Sequence, residues 1–261
     1  MRDIRSDLSD AMSDPDPVRR AQIQMKRPLP KRFYKDVTTE QSDEGFRILL
    51  DGRPVRTPGK NILAVPSRAI ADRLREEWDG QGEEIDPAKM PVTRLVNTAI
   101  DGVAANFDAV ADEIVRFAGT DMLCYRADSP EGLVNRQRDS WDPILRWAAE
   151  AKGARFILVE GVMHQEQPAP AIDAFAAALS AHTDPLALAC LHTVTTLTGS
   201  ALLALALAEG VVDAETAWSL AHVDEDWQIE HWGTDEEAFR RRELRREEMD
   251  VAASVLAGIA R

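Results

Sequence analysis

Between residues 33 and 65 the chain consists of short apolar or alternating runs separated by turn residues. The runs at residues 33–40, 46–50 and 61–65 have the period of β-strands. Asp51-Gly52 directly follows the second run, and this pair is typical of a hairpin turn because glycine accepts a positive φ. We therefore expect a small β-rich unit here, with Gly52 as a structural residue.

The spacing of apolar residues becomes helical after residue 66. Ile70, Leu74 and Trp78 recur at every fourth position, and Ser67 is placed to cap a helix that ends near residues 80–82. Trp78 is therefore expected to face the core, where this helix covers the strands, and to be needed for the fold.

From Pro91 to the end, apolar residues recur almost everywhere at helical spacing, and we expect Pro91 to have a structural role. The predicted elements include helices at residues 141–151, 171–181, 185–198, 199–209, 213–232 and 235–260, with a short strand at residues 155–162. The pattern predicts an α+β fold: a mobile tail (1–29), a small β-rich N-terminal domain with its covering helix (30–100) and a larger all-helical C-terminal domain (101–261).

Charge excludes two classes of partner. Asp and Glu outnumber Lys and Arg by 45 to 31, a formal net charge of −14, which disfavours nucleic acid and anionic membranes. Residues 186–208 are apolar enough to span a bilayer, but Asp184 and Glu209 flank them. Two buried helices that meet near Gly199 explain this stretch better, so we expect no stable membrane insertion.

The N-terminal segment and the cysteines indicate the compartment. Residues 1–29 lack the apolar segment of a secretion signal and carry five aspartates, whereas mitochondrial presequences are poor in acids. Cys124 and Cys190 are too few for a disulfide framework. A reducing, cytosol-like compartment is the simpler interpretation.

Familiar catalytic motifs are not found. Residues 52–59 resemble a phosphate-binding loop only in their glycines, because two prolines intervene and Asn61 stands where the loop needs Ser or Thr. Cys190 and His192 diverge on a helix and cannot act as nucleophile and base. We therefore expect no catalytic residue and no cofactor.

The segment at residues 221–232 contains a regularly spaced set of possible metal ligands. His222, Asp226 and Glu230 follow at i, i+4 and i+8, which could place a metal on one helix face, although a solvated polar face explains them as well. We expect no metal there on this spacing alone.

A second stripe runs through the same predicted helix. Trp218, Glu225 and Trp232 are seven residues apart, so Glu225 would lie between two indoles, with Gln228 one turn further. A carboxylate in such surroundings pairs with a base, is hydrogen-bonded, or awaits a partner. The spacing alone slightly favours an internal ion pair with an arginine such as Arg94 or Arg116.

Two stretches resemble the assembly chaperones that act on the α subunit of the ATP synthase catalytic head. The first contains KRFYK (31–35), LDGRPVRTPGK (50–60), VPS (65–67), EWD (77–79), MP (90–91) and TAID (98–101). The second contains GS (199–200), DEDWQ (224–228) and HWG (231–233). The resemblance covers nearly everything from about residue 30 to residue 250.

The resemblance implies a binding protein rather than an enzyme. Members hold a newly made α subunit, cover the surface that later meets the β subunit, and occur in mitochondria and α-proteobacteria. This chain would then be a bacterial cytoplasmic protein, monomeric when free. The family's functional acid matches Glu225, with Asp224 and Asp226 beside it, and the candidate partner-binding residues are Glu225, Asp224, Gln228, Trp232 and Trp218.

Two other functions remain as alternatives. An enzyme could use carboxylates or a metal on the helix face at residues 222–230, and it would bind metal without binding the α subunit. A scaffold could bind folded partners through its acidic surface, and it would not keep isolated α subunit soluble.

Overall fold

The structure of the protein is a computed structural model that describes residues 29–161 and 165–259. The predicted N-terminal tail therefore lies outside the described residues, except for Leu29. The division into domains at about residue 100 stays a prediction, although strands are concentrated before this point and helices after it.

A four-stranded antiparallel sheet forms the N-terminal part. Its central strand β2 pairs with β1 along one edge, and its other edge pairs with β3 at one end and β4 at the other. Later in the chain, two short strands form a separate parallel pair. The strands are β1 (Val37–Ser42), β2 (Gly45–Leu50), β3 (Arg53–Pro54), β4 (Ala64–Val65), β5 (Tyr125–Arg126) and β6 (Val159–Glu160).

Ten α-helices make up most of the remaining described residues. They are α1 (Arg68–Asp79), α2 (Pro91–Thr98), α3 (Phe107–Ala118), α4 (Glu131–Ala151), α5 (Ala169–Leu179), α6 (Pro185–Thr198), α7 (Ala201–Ala208), α8 (Ala214–Ala221), α9 (Val223–Trp232) and α10 (Glu236–Ile259). A π-helical turn, Ala99–Val103, continues α2, and 3₁₀ turns occupy Pro87–Lys89 and Met122–Cys124.

The predicted turn between β2 and β3 is present. Asp51 and Gly52 have φ values of 48° and 75°, the left-handed conformation that a two-residue hairpin turn requires. The Asp51 carboxylate also accepts hydrogen bonds from the backbone N–H groups of Asp36 (2.9 Å) and Lys35 (3.1 Å). These bonds, first that from Asp36, hold the pKa of Asp51 below its ordinary value.

Helix α1 covers the sheet as predicted. The Ser67 hydroxyl accepts a hydrogen bond from the Ile70 N–H and caps the helix. Ile70 and Leu74 are buried, and the partly buried Trp78 packs against the core. Tyr34 meets the Trp78 ring edge-on, with 5.8 Å between centroids, and its hydroxyl donates to the Trp78 carbonyl at 2.6 Å.

Pro91 begins α2, where its missing N–H costs no hydrogen bond. The next backbone N–H groups at the start of α2 donate hydrogen bonds to a side chain of α1. The Glu77 carboxylate accepts hydrogen bonds from the N–H groups of Val92 (2.7 Å) and Thr93 (2.8 Å) and from the Thr93 hydroxyl. This contact joins the covering helix to the helical part of the molecule.

Helices α6 and α7 lie at the centre of the helical part. Helix α6 contacts α2, α3, α7, α8 and α10, and all of its residues from Leu186 to Leu191 are buried. Gly199 ends α6 in the left-handed conformation, with φ 69°, and lets α7 start immediately. The expected pair of buried helices is therefore present. Among the described residues, no helix combines the length and apolarity needed to cross a bilayer.

A buried carboxylate holds the start of α7. Asp121 is fully buried and accepts hydrogen bonds from the Ser200 hydroxyl (2.9 Å), the Leu202 N–H (2.9 Å) and the Leu123 N–H (3.0 Å). Burial raises the pKa of Asp121 to about 6, and the hydrogen bonds, first that from Leu202, act in the opposite direction.

Several predicted boundaries are wrong. Strand β1 starts at Val37, not at residue 33, and only Ala64–Val65 of the third predicted run is a strand. Helix α4 begins at Glu131, ten residues before the predicted start at residue 141. Its first half is polar, so the spacing of apolar residues did not indicate it. The predicted helix at 213–232 is two helices, α8 and α9, separated at His222. At the start of α10, the Asp235 carboxylate accepts a hydrogen bond from the Ala238 N–H at 2.8 Å and caps the helix.

We expect Trp78→Arg to destabilise the fold by about 3–5 kcal/mol, because it removes a large apolar ring from the core and places a charge there. The measurement is urea unfolding monitored by circular dichroism. Glu76→Arg introduces the same side chain at an exposed position of α1 and is expected to change stability by less than about 0.5 kcal/mol. Equal stability of both variants would contradict the packing of Trp78.

The buried Asp121 predicts a pH dependence of stability. Its folded-state pKa lies above the ordinary value of 3.8, so its contribution is fully present at low pH and is lost as pH rises through about 6. Relative to Asp121→Asn, the wild type should gain about 1 kcal/mol of unfolding free energy between about pH 7.5 and about pH 5. A difference between the two proteins that does not vary with pH would contradict this.

Candidate functional site

An open groove of about 550 Å³ lies between α9 and the first half of α10. Apolar, acidic and basic side chains all contribute to its walls. Its lining residues are His222, Glu225, Gln228, Ile229, Trp232, Gly233, Thr234, Asp235, Ala238, Phe239, Arg241, Arg242 and Arg245. A volume of this size falls in the range of about 300–1,000 Å³ that is usual for ligand pockets.

His222 separates α8 from α9 and sets the direction of the groove wall. Its backbone leaves the helical conformation, with φ −117° and ψ 21°. The imidazole packs on the Trp218 ring, with 3.9 Å between centroids, and its Nδ1 lies 2.7 Å from the Trp218 carbonyl oxygen. Burial is the main cause that lowers the pKa of His222, so this residue is neutral near pH 7.

Three contacts fasten α9 to α4. The Gln137 amide donates to Asp224 at 2.7 Å, and Arg136 Nη1 donates to both oxygens of Glu230 at 2.8 and 2.7 Å. The Trp227 ring lies over Gly132 so closely that an added Cβ would be 2.5 Å from its Cη2. The side of α9 that faces α4 is therefore held by polar and apolar contacts together.

Helix α10 is attached to both α9 and α6. Arg242 pairs with Asp226 at 2.6 Å and joins α10 to α9. Arg245 donates to the Leu197 carbonyl at 2.6 Å and joins α10 to the end of α6. The groove is thus bounded by two helices whose relative position is set by specific contacts.

Glu225 differs from both neighbouring acids. Its side chain is 56% exposed and lines the groove, and its carboxylate lies 3.8 Å from Nε2 of His222, a histidine that burial keeps neutral. Asp224 bonds to Gln137 and Asp226 pairs with Arg242. Among the described residues no arginine forms an ion pair with Glu225.

The two arginines considered as internal partners of Glu225 lie elsewhere. Arg94 pairs with Glu248 at 3.9 Å, and Arg116 lines a different surface depression, beside α5. The possibility that Glu225 belongs to an internal ion pair with one of them therefore has no support in the part of the chain that the structure describes.

The structure brings three of the five candidate partner-binding residues together. Glu225, Gln228 and Trp232 line the groove, and Trp232 is 77% exposed. Trp218 is buried beneath His222, and Asp224 faces α4. The expected stripe with Glu225 between two indoles is wrong, because the break at His222 places Trp218 on a separate helix.

The face considered for a metal is not assembled. His222 contacts the Trp218 carbonyl, while Asp226 and Glu230 pair with arginines of α10 and α4, so the three side chains turn to three different neighbours. Within residues 29–161 and 165–259, no group of three or more His, Cys, Asp or Glu is placed to hold a metal ion.

Sequence reasoning missed the wall contributed by α10. On this wall Phe239 supplies apolar surface, and Arg241, Arg242 and Arg245 supply positive charge. The signal was the run of arginines at residues 240–246 in an acidic chain, although only the packing of α10 against α9 shows that the two helices share a groove.

Comparisons with known proteins identify the family. The model of the ATP12 chaperone protein family matches residues 31–149. The crystal structure of Atp12 from Paracoccus denitrificans is similar, with 41% identity, a TM-score of 0.83, and coverage of 88% of this chain and 98% of that chain. This chain belongs to the ATP12 chaperone family. Membership confirms the resemblance to ATP synthase assembly chaperones and the α+β fold class.

Two further matches extend over most of the chain. A crystal structure of a protein from Agrobacterium tumefaciens is 60% identical, with a TM-score of 0.85, and the match covers 97% of this chain and 95% of that chain. The mitochondrial protein atp12 of Schizosaccharomyces pombe is 24% identical over 233 residues, which is 84% of this chain and 79% of the relative. The similarity therefore includes the helices that form the groove.

The contact between α4 and α9 predicts the effect of a single methyl group. Gly132→Ala should displace the Trp227 indole and destabilise the protein by about 1–3 kcal/mol, the usual cost of overpacking. Gly102→Ala is the control, since no atom lies within 4 Å of its added Cβ. Thermal melting and tryptophan fluorescence measure both effects, and unchanged fluorescence in Gly132→Ala would contradict this packing.

Proposed function

We propose that this protein binds the unassembled α subunit of the ATP synthase catalytic head and shields its subunit interface until the β subunit replaces it. Family membership supports a role in assembly. The proposal of the α subunit as the partner rests on the family resemblance together with the groove between α9 and α10, which offers a surface for such a partner.

The open apolar surface of the groove is the observation that carries the proposal. Trp232 and Phe239 are 77% and 52% exposed, although burying such rings removes a large apolar area from water. An unassembled subunit exposes an apolar interface of its own and tends to aggregate. Covering one exposed surface with the other stabilises both proteins in water.

Glu225 supplies a charge that is available for a partner. Its two neighbours on α9 serve internal contacts, whereas its own carboxylate faces the groove. A charge contact that becomes desolvated in a complex contributes strongly to binding when its loss leaves the partner's charge unpaired. We therefore assign the functional acid to Glu225 rather than to Asp224 or Asp226.

The same proposal includes the setting in which the protein acts. We infer a bacterial cytoplasmic protein that is monomeric when free, in line with its bacterial relatives, while the S. pombe relative is named as mitochondrial. Binding would be stoichiometric, with release driven by competition from the β subunit, and would require no nucleotide cleavage by this chain. The scaffold alternative differs because it would leave isolated α subunit insoluble.

We expect Glu225→Gln to leave the free protein nearly unchanged and to weaken α binding. Stability should change by less than about 1 kcal/mol, because the side chain is exposed and pairs only with a neutral histidine. Soluble α subunit recovered on co-expression should fall several-fold. The measurement combines thermal melting of the free variant with quantification of soluble α subunit.

Glu150→Gln is the matched control, since it removes one exposed carboxylate from α4 outside the groove lining. It should affect neither melting nor recovery of the α subunit. A large fall in the melting temperature of Glu225→Gln would make this residue structural. Normal melting with full recovery of α subunit would remove Glu225 from the binding site.

A further inference from the structure

A seven-residue stretch of α10, residues 240–246, contains five arginines, although the net charge of the chain is −14. Four of them are paired with carboxylates. The pairs are Arg240–Glu236 (3.3 Å), Arg241–Glu237 (3.4 Å), Arg242–Asp226 (2.6 Å) and Arg246–Asp250 (3.4 Å). Most of the positive charge of this segment is therefore balanced within the protein.

Arg245 is different. Its hydrogen bond within the described residues goes to a neutral acceptor, the Leu197 carbonyl, and its side chain lines the groove. A guanidinium group carries five N–H donors in a planar fork, so one carbonyl satisfies only a small part of it. Arg245 thus presents a positive charge to the groove without a carboxylate beside it.

The groove therefore carries unpaired charges of both signs. Among the described residues, Arg245 on α10 pairs with no carboxylate, and neither Glu225 on α9 nor Asp235, which caps α10, pairs with an arginine or lysine. Glu225 lies on α9 and Arg245 on α10, and Ile229, Trp232 and Phe239 supply apolar surface in the same groove. A ligand that satisfies all three features has an acidic group, a basic group and an apolar side chain close together.

We infer that the groove binds a short segment of the α subunit in which an apolar side chain is flanked by a carboxylate and a cation. The carboxylate pairs with Arg245, the cation pairs with Glu225, and the apolar side chain packs against Trp232 and Phe239. This inference rests on the proposed function and adds the chemistry of the segment that is recognised.

Other occupants fit less well. Nucleic acid and anionic lipid need several free cations, whereas four of the five arginines are already paired, and both would meet Glu225. A second copy of this chain would bring another net charge of −14 to the surface. A segment with both charges meets neither objection.

Photo-cross-linking in the full chain tests the inference. The photoreactive residue p-benzoylphenylalanine replaces Phe239, the protein is co-expressed with α subunit, and the cross-linked peptide is identified by mass spectrometry. We expect an α peptide with an acidic and a basic residue within about four positions of an apolar one, a spacing that one helix turn or a short strand spans.

Arg245→Gln should lower the cross-linking yield about tenfold, as expected for the loss of one charge-assisted hydrogen bond. Arg240→Gln, which changes an arginine outside the groove lining, should leave the yield unchanged. Because Arg245 also contacts α6, the melting temperature is measured. If it falls, the test moves to the α subunit, where replacing the mapped acidic residue with lysine should give the same loss.

The outcomes separate this inference from the proposed function. Wild-type protein that fails to keep α subunit soluble contradicts both. Soluble α subunit with no cross-link from position 239, or with a cross-linked peptide that lacks either charge, contradicts the inference alone. A cross-link between two copies of this chain, or a yield that Arg245→Gln does not change in a stable variant, contradicts it as well.

Discussion

The burial of α6 and α7 is the constraint on which the rest of the structure depends. Both helices are apolar around almost their whole circumference, so neighbouring elements must enclose them on every side. Helices α2, α3, α8 and α10 all contact α6, and Asp121 satisfies the first donors of α7 from inside the core. Helix α10 reaches the core with its second half only, and its first half remains exposed beside α9.

The groove is a consequence of this arrangement. Three acidic residues of α9 bond to neighbouring helices: Asp224 and Glu230 bond to α4, and Asp226 bonds to α10. These contacts hold α9 against α4 and α10, with the Trp227 ring over Gly132, and leave the side chains of Glu225 and Trp232 exposed. The contacts of the buried side of α9 therefore position its exposed residues. A binding surface supported in this way keeps its shape without a partner.

Local chemistry made much of the fold predictable. The turn at Asp51-Gly52, the cap at Ser67 and the helix end at Gly199 each depend on residues next to one another in the chain, and all three are present. The first half of α4 was missed for the opposite reason. Two of its polar residues, Arg136 and Gln137, bond to α9, which lies about ninety residues further along the chain.

By itself the sequence determined the α+β class, the main helices, the family and the segment that carries the candidate site, since periodicity, caps and motifs are properties of neighbouring residues. Only the tertiary structure decided which acid is free. Asp224, Glu225 and Asp226 are chemically alike and adjacent, and they differ only in what lies opposite them. Gln137 meets the first and Arg242 the third, whereas Glu225 meets water and a neutral histidine. Packing between distant helices sets that difference, and no local pattern encodes it.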